Sequence, residues 1–117
     1  MFKPNPKRTF QKQVSFNVPT ESGAFQQVSL PVDYISIPRS ELQQLQEEGD
    51  DTLAYERVVA GVHEVGGDDG QALPPAEAKK AMIEESAFVF QAVLTYYDAV
   101  LGGNLKGKPS RGRRATG

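Results

Sequence analysis

TFQKQVSFNV, residues 9–18, is the stretch that decides the fold, because its residues alternate between apolar and polar. The apolar positions are Phe10, Val14, Phe16 and Val18. Lys12 is the one charged residue on the apolar side. A period of two is typical of a β-strand that buries one face and exposes the other. The sequence therefore predicts a half-buried strand over residues 9–18.

A second alternating run follows a turn and predicts the partner strand. Pro19 and Gly23 lie in PTESGA, a composition typical of a hairpin loop. The apolar residues of the second run are Val28, Leu30, Val32 and Tyr34. We expect the two strands to pair antiparallel. Because Pro31 lacks the N–H of a ladder hydrogen bond, we expect the second strand to lie at a sheet edge or to break there.

After the strands, the apolar pattern changes to the helical period. Ser40 and Gln43 have capping-box spacing and predict the start of a first helix, which Gly49 ends. The candidate caps of a second helix are Asp50, Asp51 and Thr52. Its apolar face consists of Tyr55, Val58, Val59 and Val62, at positions i, i+3, i+4 and i+7. Pro75 suits the first turn of a further helix after the acidic loop 66–71.

The last predicted helix is apolar around most of its circumference. Between Phe88 and Leu101 the polar positions are Gln91, Thr95 and Asp98, which form one narrow stripe. Such a helix must be buried on several sides. Two explanations remain open: the hairpin and the other helices cover it completely, or self-association or a partner protein does.

Together these patterns predict an α+β fold. An N-terminal antiparallel β-hairpin or meander, over about residues 9–37, precedes three to four α-helices, over about residues 41–101. We expect a single domain, residues 1–101, because 117 residues are too few for two independent cores. Residues 102–117 contain too few apolar residues to fold, and we expect a flexible basic tail there.

The charges are distributed unevenly along the chain. The formal net charge is −2, but residues 1–12 carry four bases and no acid, and residues 102–117 carry five bases and no acid. The bases of the tail are Lys106, Lys108, Arg111, Arg113 and Arg114. All 15 acids lie between these two segments. The basic ends are either solvated segments or contacts for an acidic partner, nucleic acid or a neighbouring copy.

Few residues are available for catalysis. The chain has no cysteine, which excludes a disulfide scaffold, a thiolate metal site and a cysteine nucleophile. His63 is the single histidine, so one chain cannot build a histidine-based triad or a multi-histidine metal site. We expect His63 on the exposed side of its helix or within its packing. The sequence predicts a protein that is not an enzyme and uses no cofactor or metal.

Several short motifs form a series along the chain. The chain opens with a hydrophobic residue, a lysine and an Asn/Pro stretch, followed by the pattern Phe-x-x-x-Val. The residues of this opening motif are Phe2, Lys3, Asn5, Pro6, Phe10 and Val14. A Val-Val-x-Gly segment, Val58 to Gly61, leads into the acidic glycine loop Asp68 to Gly70. With the capped helix from Ser40 to Leu45 and the basic end, this series resembles the small tail assembly chaperones of tailed bacteriophages over nearly the whole chain.

The resemblance implies a non-enzymatic chaperone in the cytoplasm of the bacterial host. It would bind the tape-measure protein, the tail-tube subunits or both during tail assembly, and would be absent from the finished virion. The residues expected to contact the partner, by packing against its helices, are Tyr55, Val59, Phe88, Phe90, Leu94, Tyr97 and Leu101. The alternatives are a structural tail or connector subunit that stays in the particle, and a small nucleic-acid-binding regulator that uses the basic tail.

Overall fold

The two alternating stretches form a long β-hairpin in the computed structural model of the protein, which describes residues 8–102. Strand β1 spans Thr9–Pro19 and β2 spans Phe25–Ile35. They pair antiparallel in one uninterrupted register, from Thr9 opposite Ile35 to Pro19 opposite Phe25. This confirms the predicted hairpin.

Pro31 neither breaks β2 nor places it at an edge, contrary to the expectation from its missing N–H. The strand is continuous through Pro31 and is the central strand of the sheet. The N–H and C=O of a strand residue point to the same side, and the carbonyl of Pro31 accepts from the N–H of His63 at 2.9 Å. The nitrogen of Pro31 therefore faces away from β1, so no hydrogen bond of the hairpin is lost.

A third strand replaces the end of the predicted second helix. Helix α2 spans Asp51–Val58, and β3, Val59–Val62, follows at once and pairs antiparallel with β2. The sheet order is β1-β2-β3. Because this strand lies between two helices, the predicted division into strands up to about residue 37 and helices after it is wrong for residues 59–62. A run of valines with Gly61 has low helix propensity, and pairing with β2 decides its conformation.

The first two helices are capped differently from each other. Helix α1 spans Arg39–Glu48, and it begins after Pro38 with no side-chain cap, so the predicted capping box of Ser40 does not form. Gly49 ends α1 in the left-handed conformation, with φ of 66°, as its position predicts. The carboxylate of Asp50 accepts from the N–H of Leu53 at 3.1 Å and caps α2.

Two further helices complete the described part of the chain. Helix α3 spans Pro75–Ala81, with Pro75 in its first turn as predicted. A short 3-10 helix, Met82–Glu84, leads to α4, Ser86–Leu101. Residues 8–102 therefore form an α+β fold with four α-helices, as the sequence predicts. Among residues 8–102, no helix is long and apolar enough to cross a membrane.

The core lies between the sheet and α4. The ring of Phe88 meets the ring of Phe16 edge to face, at 5.1 Å between centroids. The hydroxyl of Tyr34 on β2 donates to the carbonyl of Ala92 at 2.7 Å. The hydroxyl of Tyr96 on α4 donates to the carbonyl of Ile35 at 3.0 Å. These contacts fix the position of the helix on the sheet.

The predicted basic tail lies outside the described residues, except for Gly102, which caps the end of α4. This applies to all five of its bases, Lys106, Lys108, Arg111, Arg113 and Arg114. Residues 1–7, with Phe2 and Lys3, also lie outside the described part of the chain.

Candidate partner-binding surface

Helix α4 has two apolar sides, of which one is buried and the other is partly exposed. The side that packs on the sheet and α2 is buried and consists of Phe88, Val89, Ala92, Val93 and Tyr96. The opposite side carries Phe90, Leu94, Tyr97 and Leu101, which we call the outer stripe. Phe90 is 48% exposed and Leu94 is 46% exposed, whereas Tyr97 and Leu101 are half-buried. Their spacing of four, three and four residues keeps them on one side of the helix.

The buried residues correct part of the predicted contact surface. Tyr55 and Phe88 are completely buried and Val59 is 1% exposed, so in this conformation none of the three can touch a partner. Phe88 lies between Phe16 and Tyr55, whose ring centroids are 5.1 and 5.9 Å from its own. Of the seven residues predicted to contact a partner, the structure brings Phe90, Leu94, Tyr97 and Leu101 together on an accessible surface.

The outer stripe is bordered by acidic residues of the α1–α2 turn. Asp51 lines a depression beside Phe90, and Asp50 and Asp51 line another beside Tyr97. Burial raises the pKa of the Tyr97 hydroxyl, and the negative charge of Asp51 raises it further. Asp98 is exposed on α4 itself. Carboxylates therefore flank an apolar stripe.

The acidic border is part of a general excess of negative charge. All 15 acids of the chain fall within residues 8–102. The bases of the same segment are the six residues Arg8, Lys12, Arg39, Arg57, Lys79 and Lys80. Arg57 forms an ion pair with Glu41, which links α1 to α2. An apolar stripe on such a surface favours a partner whose own apolar residues are flanked by lysine or arginine.

His63 lies in a polar row on the solvent side of the sheet, directly after β3, and not on a helix as its sequence pattern predicts. Its Nε2 is 2.6 Å from Oδ2 of Asp33, and Gln11 donates to Oδ1 of the same carboxylate at 2.9 Å. Partial burial favours a higher pKa for Asp33, but the two hydrogen bonds and the charge of His63 outweigh it and lower the pKa below its ordinary value. Gln11 lies on β1, Asp33 lies on β2 and His63 directly follows β3, so the polar row connects all three strands. The sequence does not reveal this row, because the valine spacing before residue 63 is typical of a helix.

Metal ligands do not gather in the described part of the chain. Among residues 8–102, no group of three or more His, Cys, Asp or Glu side chains is placed to hold a metal ion. The Asp33–His63 pair is exposed to solvent by about a third on each side chain, 35% and 36%. We therefore take the outer stripe of α4, and not this pair, as the candidate functional surface.

Comparison with known proteins finds no match of this chain to a protein-family model, a curated protein or a solved structure. The family resemblance in the sequence motifs is thus an expectation that rests on those motifs alone. The geometry and charge of the outer stripe are the structural basis for assigning a function.

Proposed function

We propose that the protein is a non-enzymatic phage tail assembly chaperone that binds a helical segment of the tape-measure protein. The observation that carries this proposal is the outer stripe of α4. Phe90 and Leu94 expose close to half of their surface although the opposite side of the same helix already forms the core. Large apolar side chains that folding does not use are typical of a surface reserved for another protein.

The geometry of the stripe favours a helix as the partner. Residues spaced at four, three and four positions form a ridge along α4, and the ridges of one helix pack into the grooves of another. An amphipathic helix would place its own apolar stripe on Phe90 and Leu94. Lysine or arginine beside that stripe would meet Asp51 and Asp98. The motif resemblance supplies the identity of this helix, as part of the tape-measure protein.

The wider setting belongs to the same proposal. The chaperone would act in the cytoplasm of the bacterial host, bind the tape-measure protein, alone or together with tail-tube subunits, and leave before the tail is complete. Mass spectrometry of purified virions tests the last point. Recovery of the chain in stoichiometric amounts would favour the structural-subunit alternative instead.

Co-expression with a tape-measure fragment from the same genome neighbourhood tests the central step. We expect the fragment to be insoluble alone and to co-elute with the chain as a soluble complex, with its mass read by light scattering. The double variant Phe90→Ser/Leu94→Ser should lose the complex, because two apolar anchors are removed. A fragment that remains insoluble with the wild-type chain contradicts the proposal.

Phe25→Ser is the matched control for that experiment. Phe25 is 70% exposed on the hairpin, away from α4, so its replacement also removes an exposed aromatic ring. We expect the control to fold and to keep the fragment soluble. Equal loss of the complex with the control and with the stripe variant would mean that general surface hydrophobicity, and not the outer stripe, holds the fragment.

A further inference from the structure

A second apolar surface lies at the turn end of the hairpin, on the face that carries α4 farther along. It is an open cavity of about 300 Å³, which we call the hairpin groove. Its apolar lining consists of Phe16, Val18, Val28, Leu30, Val65 and Met82. Phe16 and Leu30 form a buried floor, and the other four side chains are half-buried around it. The groove can therefore accept one large apolar side chain.

Two carboxylates stand at the edge of the hairpin groove. Glu64 and Glu85 both line it, and both residues are exposed. Glu64 has a φ of 64° and is, within residues 8–102, the one residue other than glycine with a positive φ. This left-handed conformation is unfavourable for a residue with a side chain, so the backbone is strained at the edge of the groove. A segment in which a large apolar side chain is followed by a lysine or arginine would match the apolar groove and its two carboxylates.

The chain contains such a segment at Phe2-Lys3, outside the described residues. The phenylalanine ring is large enough to occupy much of the groove, and the lysine follows it directly. The comparable pair Leu105-Lys106 offers a smaller side chain. Phe2-Lys3 is therefore the better match in size and charge.

The Phe2 of the same chain cannot occupy the hairpin groove. Seven residues from Phe2 to Thr9 span at most about 24 Å, and the near edge of the groove at Phe16 is about 23 Å from Thr9 along β1, so Phe2 would reach it only on a straight, fully extended path along that strand. The path along β1 on that face is also occupied by α4, since Tyr96 stacks on Phe10 at 6.0 Å and Phe88 meets Phe16. A groove that suits Phe2 is thus accessible only to the Phe2 of another copy.

Leu105 of the same chain falls short as well. It follows Leu101 by four residues, which span at most about 14 Å. Helix α4 is about 23 Å long from Leu101 back to Ser86, and the groove begins at Glu85, before that helix. The backbone between Leu101 and Leu105 is therefore too short to bring Leu105 of the same chain to the groove.

We propose that the hairpin groove binds the Phe2-Lys3 segment of a second copy of this chain, with the ring of Phe2 in the groove and Lys3 against Glu64 and Glu85. The groove and the first residue of β1 lie at opposite ends of the hairpin, so the contact joins different surfaces of the two copies. Such a head-to-tail contact leaves one groove and one Phe2 segment free, so further copies add to the chain or close a ring. This self-association uses neither Phe90 nor Leu94 and is independent of the proposed chaperone function.

Light scattering of the full-length chain over a wide concentration series, at low salt, tests the proposal. We expect the average mass to rise with concentration for the wild type. Phe2→Ser should weaken the association about tenfold or more, as expected for an anchor residue, without disturbing the core. The stripe variant Phe90→Ser/Leu94→Ser should associate like the wild type.

A charge exchange identifies the pairing. Glu85→Lys should weaken the association, and adding Lys3→Glu to the same chain should restore it, because the exchanged charges attract again. Circular dichroism should show that every variant is folded at the temperature of the measurement, and only Glu85→Lys should melt slightly lower, because it places a base at the N-terminus of α4.

Several outcomes would overturn the proposal. One is a monomer mass at every concentration. Another is association that persists in Phe2→Ser but is lost in Leu105→Ser, which would make the tail the occupant. A third is association that only the stripe variant abolishes, which would place the contact on α4.

Discussion

The two sides of α4 are similar in composition but differ in burial. Phe88 on the inner side is completely buried between Phe16 and Tyr55, whereas Phe90, two residues later, is 48% exposed. The sheet covers one side of the helix, and nothing in residues 8–102 covers Phe90 and Leu94 to the same extent. The difference shows that the type of an apolar residue in this helix does not determine whether its side chain belongs to the core or to an exposed surface.

The strongest test of this comparison is a pair of substitutions on the same helix. Phe88→Ala should lower the free energy of unfolding by about 3–5 kcal/mol, because it leaves a cavity among packed rings. Phe90→Ala should change it by less than about 1 kcal/mol, since its ring is half in solvent. Urea denaturation followed by circular dichroism measures both. A similar loss in free energy of unfolding for the two variants would mean that both sides of α4 contribute equally to the stability of the fold.

A second test concerns the hydroxyl groups on the two sides. Tyr34→Phe should cost about 1 kcal/mol, because the buried hydroxyl donates to the carbonyl of Ala92 on the inner side of α4. Tyr97→Phe keeps the ring of the outer stripe and should change the free energy of unfolding by less than about 0.5 kcal/mol. The same denaturation series measures both. A larger effect at Tyr97 would mean that the outer side also supports the fold.

Alkaline pH should lower the free energy of unfolding through Tyr34, whose hydroxyl contacts the inner side of α4. Burial raises the pKa of Tyr34 above its ordinary value of 10.0, so the folded chain keeps the proton after the unfolded chain has lost it. This part of the stability is fully present below pH 10 and declines as the pH rises above it. The variant Tyr34→Phe should show a shallower decline between about pH 10 and pH 12. Parallel curves for the wild type and the variant would contradict this assignment.

The smallest effect is expected on the other face of the sheet, at acid pH. The folded pKa of Asp33 lies below its ordinary value, so its contribution is present above about pH 4 and is lost as the pH falls through the folded pKa. Asp33→Asn should remove this acid-side dependence, and the partly exposed setting keeps the change modest. Urea midpoints measured from about pH 5 down to pH 2 test it. An unchanged acid profile in the variant would mean that the Asp33–His63 contact does not stabilise the fold.

The sequence predicted those elements whose signals are local. Alternation over residues 9–18 predicted the hairpin, Asp50 was among the candidate caps, and Pro75 marked the start of α3. Strand β3 was missed because its conformation depends on pairing with β2, and Val59 and Val62 fit a helical pattern equally well. Gly61 also has a tertiary reason, since a Cβ there would lie 2.7 Å from Cβ of Pro75.

The candidate surface was only partly predictable. The seven predicted contact residues are all apolar and lie at helical spacing, and that pattern does not reveal on which side the sheet will pack. Phe90 and Leu94 become distinct from Phe88 only once α4 lies on β1 and α2. The hairpin groove has no local signal at all, because its lining comes from four separate parts of the chain.

Hydroxyl-radical footprinting of the chain, free and in complex with the tape-measure fragment, tests the central claim most directly. Phe90 and Leu94 should be oxidised in the free chain and protected in the complex, whereas the exposed Phe25 should be oxidised in both and the buried Phe88 in neither. Oxidation of Phe90 and Leu94 that is equal in the free and the bound chain would contradict the assignment of the outer stripe as the binding surface.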